Sequence, residues 1–424
     1  MDFVSIVSIV NNFVWGPYML VLLLGTGIFL TLRLGFMQIH TLPYALKLAF
    51  SKNQDKTSPG DISHFQSLMT ALAATIGTGN IAGVATAYVL GGPGAIFWMW
   101  FTAFFGMATK YAEAILAIKY RTVDDNGEMA GGPMYFLEKG IPNYGIGKIL
   151  GIAFAFFGAF AAFGIGNMVQ TNSVADAVLS NFGVSPLITG FLLALLTAAV
   201  ILGGIKSIGR ATGIIVPFMA VFYILGGLAI LAMNINYIVP AFSTIFSSAF
   251  NFEAGFGALI GTAIMWGVKR GVFSNEAGLG SAPIAAAAAK TDHPGRQALV
   301  SMTGTFLDTI IVCTITGLVL TIAGLKAFPG LSDLTGASLT AASFDALMPM
   351  GGMIVTIGLI FFAYSTVLGW SYYGEKCFEY LVGTKGIKLY RIAFVLVAFW
   401  GATASLPLVW DIADTLNGAM AIPT

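Results

Sequence analysis

The sequence carries very little charge: 9% of its 424 residues are Asp, Glu, Lys or Arg, whereas a water-soluble domain carries about a quarter. The formal net charge is +1, so the chain offers no basic surface and we expect no nucleic-acid partner. The two cysteines, Cys313 and Cys377, lie in or beside apolar runs, which predicts buried thiols without a disulfide or metal site. His40, His64 and His293 lie far apart in polar connections and make a poor metal site.

Motifs of two other protein classes are also missing. The chain has no GxxxxGK[ST] phosphate loop and no polar segment long enough for a nucleotide-binding domain, which argues against a primary pump. It has no HExxH motif and no nucleophile beside a base, which argues against an intramembrane protease. We therefore expect a protein that is not an enzyme, and no feature indicates an obligate protein partner.

Apolar residues are abundant, at 57% of the chain, and the mean hydropathy is +0.86. Because a bilayer-spanning helix needs about 20 apolar residues, the composition predicts an all-α polytopic membrane protein. The N-terminus lacks the basic segment and cleavage site of a signal peptide, and it leads directly into the first span. The hydropathy pattern predicts eleven spans, near 13–35, 66–90, 94–119, 149–178, 186–205, 211–235, 255–289, 298–325, 350–374, 390–405 and 407–424.

The Lys and Arg residues are distributed unevenly between the connections. Sixteen of the 20 lie in alternate connections, one lies in an intervening connection and three lie within spans. Because short cytoplasmic loops retain basic residues, we expect the N-terminus outside and the C-terminus in the cytoplasm. An odd number of spans agrees with this assignment. The pattern predicts a multi-pass protein of the cell membrane, surrounded by the lipid bilayer.

The second span contains Gly77, Thr78, Gly79 and Asn80 at mid-membrane depth. Each glycine lowers helix propensity by about 1 kcal/mol, and the Asn80 side chain is polar where hydrocarbon is expected. Small residues alone are more typical of a close helix-packing seam. The asparagine favours a helix that unwinds at this point.

The seventh span, 255–289, repeats this pattern. Lys269, Arg270, Asn275 and Glu276 lie near its centre, among four glycines. Irregular backbone at membrane depth is tolerated only where protein buries it or where it lines a cavity. We therefore expect one interrupted helix inside the bundle, at a functional site rather than in a structural ion-pair cluster. Lys269 and Arg270 are expected either to pair with Glu276 or to stabilise an outer gate.

The two interrupted helices occupy corresponding places in the chain. With the first span set aside, each opens a set of five spans, and the charge pattern gives the two sets opposite orientations. Corresponding broken helices in an inverted repeat indicate a transporter binding site. The predicted organisation is an N-terminal extra helix and cytoplasmic loop at 1–65, a first repeat at 66–235, an extracellular linker at 236–254 and an inverted second repeat at 255–424.

Several segments resemble the alanine or glycine:cation symporter family. GGPGAIFWMWFTAFFG at 91–106 is similar to that family's signature, GTGN at 77–80 and SNEAGLGSAP at 274–283 are similar to its broken-helix motifs, and AGGPMYF at 130–136 is similar to its loop after the third span. The resemblance covers nearly the whole chain and implies the LeuT-type five-plus-five fold. It also implies import of a small neutral amino acid, alanine or glycine, together with a sodium ion (Na+).

A zwitterion at mid-membrane depth needs donors for its carboxylate and acceptors for its ammonium, and the ends of unwound helices supply both. The residues expected at the carboxylate are Thr78, Gly79 and Asn80, and those expected near the ammonium are Val272, Phe273, Ser274, Asn275 and Glu276.

Three further side chains are candidate substrate contacts. Gln170 is polar within the apolar fourth span, although a structural hydrogen bond between helices explains it equally well. Phe273 and Trp370 are placed to close the pocket around a methyl group, although plain packing also explains a single aromatic residue.

For sodium, the resemblance implies a site between the second and ninth spans that is built from oxygen atoms. Ser365 and Thr366 are adjacent hydroxyls in an otherwise apolar helix, and the alternative is that they bond back to their own helix. The implied ligands are the carbonyl groups of Ala73, Ile76 and Phe362 and the hydroxyls of Ser365 and Thr366. Nothing in the sequence points to a second ion site.

Other intramembrane charges leave alternatives open. Lys110 and Glu113 are three residues apart and are expected to pair on one helix face. Four aspartates are open as gates, proton sites or interface residues: Asp176, Asp308, Asp411 and Asp414. Proton-coupled symport therefore stands as the alternative to sodium coupling. A channel is less favoured, because the chain lacks pore-lining helices repeated around an axis.

Overall fold

The computed structural model describes residues 3–51, 55, 57–250, 258–328, 330–404 and 407–424, and most of them are helical. The α-helices are α1 Phe3–Val14, α2 Pro17–Arg33, α3 Met37–Ala49, α4 His64–Thr75, α5 Val84–Gly91, α6 Gly94–Lys119, α7 Pro133–Gly140, α8 Tyr144–Phe163, α9 Val169–Phe182, α10 Pro186–Ile201, α11 Gly204–Met233, α12 Ile238–Ala249, α13 Ala258–Asn275, α14 Ala282–Ala287, α15 Pro294–Thr305, α16 Thr314–Leu325, α17 Gly336–Leu347, α18 Gly351–Val382, α19 Ile387–Thr403 and α20 Pro407–Ala419.

Shorter elements join these helices. π-Helical turns lie at Gly79–Gly83, Gly164–Met168 and Phe306–Cys313, and 3₁₀ turns lie at Ile235–Tyr237 and Thr384–Gly386. The connection between α6 and α7 forms a two-stranded antiparallel hairpin, β1 Thr122–Val123 and β2 Met129–Ala130, in which Thr122 pairs with Ala130.

Within the described residues, seven helical stretches are long and apolar enough to cross a membrane, and the bent pair His64–Thr75 and Gly79–Gly91 makes eight. Large apolar side chains such as Phe191, Leu225 and Leu396 are exposed on the outside of the bundle. An exposed apolar surface of this kind suits lipid rather than water. The protein is therefore a helical membrane protein, as predicted. Helices lie within each of the eleven predicted ranges, but only seven or eight stretches of the described residues are long and apolar enough to count as spans.

Both predicted interruptions are present. The two halves of the first interrupted helix, α4 and α5, differ in direction by 52°. The second interrupted helix consists of α13 and α14, and the connection between them contains Glu276, Gly278 and Gly280 with φ of 58°, 88° and 77°. Left-handed backbone ends a helix, and glycine adopts it without steric cost. Lys269 and Arg270 lie within α13, so the break follows them.

Some predicted connections contain helices. Helices α3, α7 and α17 lie between predicted spans, and α12 lies within the predicted linker, whose residues 251–254 are outside the described part of the chain. His64, which we expected in a loop, begins α4, is buried and hydrogen-bonds Gln297. Cys313 and Cys377 are buried free thiols, as predicted.

The first and last helices of the chain pack against each other. The Trp15 indole donates a hydrogen bond to the Asp414 carbonyl over 3.0 Å, and Lys269 Nζ lies 3.0 Å from Asp414 Oδ2. Of the two alternatives left open for Lys269, the structure does not show pairing with Glu276, because the Lys269 side chain points toward Asp414 of α20. The side chain of Asp411 lies outside the described part of the structure.

Candidate functional site

A small cavity lies where the two interrupted helices meet. Its volume of about 10 Å³ is room for about one water molecule. Helices α4, α9, α13 and α18 and two of the π-helical turns supply its walls. The lining residues are Ala74, Thr75, Gly77, Thr78, Gly79, Ile165, Gln170, Phe273, Glu276, Thr366 and Trp370.

Most of the residues predicted to contact the substrate meet at this cavity. The predicted residues that line it are Thr78, Gly79, Gln170, Phe273, Glu276 and Trp370. Asn80, Ser274 and Asn275 are fully buried behind its wall and hydrogen-bond residues 308 and 309. The structure therefore brings nine of the ten predicted residues together at or beside one cavity.

Val272 is the exception among the predicted substrate contacts. Its side chain belongs to an apolar cluster with Val14, Trp15 and Leu20, which lie on or between the first two helices, away from the cavity. Its carbonyl accepts a hydrogen bond from the Glu276 N–H over 2.7 Å. The expectation that the Val272 carbonyl is freed is wrong, because α13 continues past it to Asn275.

Gln170 holds the first break from the side of α9. Its Nε2 donates to the Thr78 hydroxyl over 3.2 Å and to the Ile165 carbonyl over 2.9 Å, and its Oε1 accepts from the Thr78 N–H over 3.4 Å. The Thr78 N–H is one of the groups predicted to bind the substrate carboxylate. In this structure the amide oxygen of Gln170 is the acceptor for that N–H.

Glu276 places a carboxylate on the cavity wall. Its Oε2 accepts a hydrogen bond from the Ser281 hydroxyl over 2.6 Å, and its left-handed backbone turns the chain out of α13. The side chain is 2% exposed. A buried carboxylate in this position can accept hydrogen bonds from an ammonium group.

Lys110 and Glu113 lie next to this break, but they do not pair as predicted. Glu113 Oε1 accepts a hydrogen bond from the Gly280 N–H over 3.1 Å, and Lys110 Nζ is buried with no hydrogen-bond partner in the described structure. The i,i+3 spacing was a poor guide here because the N–H groups of the break compete for the carboxylate.

The five groups predicted for sodium also lie together, between α4 and α18. The Ser365 hydroxyl is 2.9 Å from the Phe362 carbonyl and 3.5 Å from the Ala73 carbonyl. The Thr366 hydroxyl is 3.0 Å from the Phe362 carbonyl and 3.4 Å from the Ile76 carbonyl. Both hydroxyls bond back to their own helix and also reach the other helix. The arrangement gathers five buried oxygen atoms with no carboxylate among them.

A second and larger cavity, of about 700 Å³, lies beyond Thr78 and Phe273, which line both cavities. We call it the vestibule. It is lined in part by residues 335–338, on the side that the charge pattern predicts to be extracellular. The Arg270 guanidinium lies 5.3 Å from the centre of the Phe273 ring, and Asp176 contributes an opposite charge to the vestibule wall. Phe273 thus separates the small cavity from the vestibule.

Sequence reasoning left the role of Asp308 open and missed one other contribution to the site. Asp308 hydrogen-bonds Asn80 of the first break and Ser274 beside the second, and the sequence indicated neither partner. The Ile165 carbonyl, which fixes Gln170, belongs to the π-helical turn Gly164–Met168. A buried backbone carbonyl carries no sequence signal, although the Gly-Ile-Gly run marks an irregular helix.

Comparisons with known proteins indicate a family for the chain. The profile of the family described as the sodium:alanine symporter family matches residues 1–424. The sodium/alanine symporter AgcS of Methanococcus maripaludis is 92% identical over 423 residues, which is 100% of this chain and 93% of that protein.

Two solved structures have the same fold. MhsT in complex with L-phenylalanine matches with a TM-score of 0.59 at 15% identity, over 86% of this chain and 87% of that chain. A substrate-bound, outward-open Na+-coupled sialic acid symporter matches with a TM-score of 0.58 at 15% identity, over 97% and 84%. At these identities the likeness establishes the fold alone, which is LeuT-type.

Proposed function

The chain belongs to the sodium:alanine symporter family, and we propose on this basis that it imports a small neutral amino acid, alanine or glycine, together with sodium. The observation that carries the proposal is that two interrupted helices meet at a buried polar cavity beside five converging oxygen atoms. Transport proceeds by alternating access, in which the site opens first to one side of the membrane and then to the other.

In this proposal the substrate binds between the two breaks. Its carboxylate replaces the Gln170 amide oxygen at the Thr78 N–H, and its ammonium meets the Phe273 and Ser274 carbonyls with Glu276 nearby. The proximity of Gln170 to Thr78 and the place of Glu276 on the cavity wall support this pose. The methyl group of alanine lies between Phe273 and Trp370.

The cavity must widen before a substrate enters. A space that holds about one water molecule is too small for alanine. Phe273 and Thr78 form the boundary with the vestibule, so movement of the Phe273 ring is the step that admits the substrate. Asn80 and Asn275 stay behind the wall and hold the backbone of the breaks.

Sodium binds at the oxygen cluster between α4 and α18. The Ala73 and Phe362 carbonyls belong to α4 and α18, and the Ile76 carbonyl directly follows the last residue of α4. The hydroxyls of Ser365 and Thr366 turn their lone pairs toward the ion. The convergence of these five groups from two helices supports the site. Because two of the carbonyls lie at the end of α4 and the other groups lie on α18, ion binding depends on the direction of α4.

We also propose the finer topology. The chain crosses the cell membrane eleven times, with the N-terminus outside, the C-terminus in the cytoplasm, and inverted repeats at 66–235 and 255–424. The corresponding positions of the two interruptions and the distribution of basic residues support this arrangement. Proton-coupled symport is the competing function, and the Glu276 carboxylate on the cavity wall is the observation in its favour.

Uptake of labelled alanine into proteoliposomes tests the proposal. We expect accumulation with an inward sodium gradient and none without it. Thr366→Ala removes one proposed ligand and is expected to raise the sodium concentration for half-maximal uptake by about tenfold or more. Ser371→Ala is the matched control, because its hydroxyl bonds Leu368 of the same helix and is expected to have no effect. Uptake that is driven by a pH gradient in the absence of sodium would show that the coupled ion is the proton. No uptake under either gradient would overturn the proposal.

A further inference from the structure

Asp308 is a buried carboxylate that contacts both interrupted helices. It lies in the π-helical turn Phe306–Cys313 and is fully buried. Asn80 Nδ2 donates to its Oδ1 over 2.7 Å, and the Ser274 and Thr309 hydroxyls donate to its Oδ2 over 2.9 Å and 2.7 Å. Asn80 belongs to the first break and Ser274 to the last turn before the second. One side chain therefore connects the two breaks.

The contact with Asn80 fixes the orientation of a polar group at the first break. Asn80 Oδ1 accepts a hydrogen bond from the Gly77 N–H over 2.9 Å, while its Nδ2 faces Asp308. The amide is thus held at both ends, by the unwound backbone on one side and by the carboxylate on the other. Loss of the carboxylate would release the amide and, with it, the Gly77 N–H.

The second break has a matching arrangement. Asn275 Oδ1 accepts from the Ala277 N–H over 3.0 Å, and its Nδ2 donates to the Thr309 hydroxyl over 3.2 Å. Thr309 in turn donates to Asp308. Each break therefore has an asparagine whose amide oxygen accepts a hydrogen bond from the backbone of that break. The amide nitrogens of the two asparagines donate to two adjacent residues, Asp308 and Thr309.

The charge on Asp308 is compensated by hydrogen-bond donors. Of the basic side chains in the described ranges, none has a nitrogen within 4.0 Å of it. Three donors can stabilise a buried carboxylate when each is well placed. Such a network depends strongly on every member, because a group left unpaired in a buried site is costly. A shift at either break therefore changes the hydrogen bonds at the other.

We propose that Asp308 is a positioning residue for symport: it holds the two breaks in register, so that the affinities for the amino acid and for sodium depend on one another. This inference rests on the proposed function. It assigns Asp308 no contact with the substrate and no transport of a proton. It predicts that the effects of removing Asp308 and of removing Ser274 are not independent.

A double-mutant cycle in proteoliposomes tests this. Asp308→Asn keeps the size of the side chain and an acceptor for Asn80 but removes the charge and the acceptor for the Ser274 hydroxyl. We expect it to raise both the alanine KM and the half-saturating sodium concentration by about fivefold or more, and Ser274→Ala to add less than about twofold in the Asp308→Asn background. Thr321→Ala, whose hydroxyl bonds Gly317 of its own helix, is the control that should leave both parameters unchanged.

Two outcomes would overturn the inference: unchanged KM and sodium dependence in Asp308→Asn, or fold-changes for Asp308→Asn and Ser274→Ala that multiply in the double variant. If Asp308→Asn is not monodisperse after purification, Thr309→Val replaces it in the cycle, because it removes a donor to Asp308 and the acceptor for Asn275. Wild-type uptake that ignores sodium would instead overturn the proposed function, so the two failures are distinguishable.

Discussion

Ile62 and Ala289 form a parallel β-bridge, which places the approach to the first interrupted helix beside the end of the second. The Lys290 N–H donates to the Ile62 carbonyl over 2.7 Å, and the Asp61 N–H donates to the Ala288 carbonyl over 2.8 Å. The vestibule opens at the opposite end of the two helices. The protein in this conformation is therefore closed by main-chain contacts at the end that the charge pattern predicts to be cytoplasmic, and these contacts must separate before that end opens.

Arg121 reinforces this bridge. Its Nη1 donates to the carbonyls of Ala287 and Ala289, each over 2.8 Å, and its Nη2 donates to the Pro59 carbonyl over 2.8 Å. Losing even one of these three charged hydrogen bonds costs about 1.5 kcal/mol net, so we expect Arg121→Gln to increase opening of this end by about tenfold or more. The measurement is the rate of thiol labelling at Thr75→Cys.

Thr75 suits this measurement because it is the last residue of α4 and lines a narrow buried space between α4, α6 and α14, which we expect a reagent to reach only after the bridged end opens. Lys119→Gln is the control, since the Lys119 side chain is exposed and lies over the Tyr120 ring. Equal labelling rates in the Arg121 variant and in the control would show that the main-chain contacts alone keep this end closed.

Gly166→Ala is expected to disturb the wall of the substrate cavity. A Cβ at Gly166 would overlap the Trp370 side chain, so the indole must move. Overpacking of this kind costs about 1–3 kcal/mol, and we expect a lower melting temperature and a higher alanine KM. Gly25→Ala, where an added Cβ meets nothing within 4 Å, should leave both unchanged. A normal KM in Gly166→Ala would mean that Trp370 does not shape the pocket.

Lys376→Met is expected to destabilise the protein by about 3–5 kcal/mol, because it leaves buried carboxylates without their partner. Lys376 Nζ lies 2.9 Å from Asp124 Oδ2 and 2.8 Å from Glu379 Oε2, and its side chain is 1% exposed. Thermal unfolding in detergent measures the loss. Lys385→Met, at an exposed lysine, provides the comparison, and similar melting temperatures for the two variants would contradict the prediction.

The contribution of Asp124 to the free energy of unfolding should depend on pH. Burial raises its pKa, but the hydrogen bonds from Lys376 and from the Glu128 and Asn126 N–H groups outweigh burial and bring the pKa below its ordinary value of 3.8. A lowered folded-state pKa stabilises the fold above pH 3.8 and loses that effect as the pH falls through the folded value.

We therefore expect Asp124→Asn to be less stable than the wild type at pH 7 and to approach the wild type as the pH falls below 3.8. Melting temperatures across this range provide the measurement. Asp125→Asn is the control, because Asp125 is adjacent to Asp124 and exposed. A difference between wild type and Asp124→Asn that stays constant with pH would contradict the assignment.

The interruptions of both helices could be predicted from the sequence because glycine and asparagine are unusual at the centre of an apolar run. The same signal identified Thr78, Gly79 and Glu276. The oxygen cluster at Ser365 and Thr366 followed from the family resemblance. At the two breaks, the residues that mark the irregular backbone also line the small cavity, so local sequence was sufficient to place them.

Other contacts depend on partners that sequence does not specify. Asp308 meets Asn80 and Ser274, which are 228 and 34 residues away along the chain, and helix spacing predicts neither contact. The predicted pairing of Lys110 with Glu113 failed because the Gly280 N–H took the carboxylate. Helices such as α17 were missed because their apolar residues are too few to form a hydropathy peak.

The contact between Trp15 and Asp414 joins residues 399 positions apart. At a synthesis rate of about 5–20 residues per second, Trp15 waits about 20–80 s for this partner to leave the ribosome. During that time Lys269 has already been made and lacks the Asp414 carboxylate that pairs with it in the finished fold. The membrane-insertion machinery must therefore accommodate a lysine without its carboxylate partner until α20 has been made.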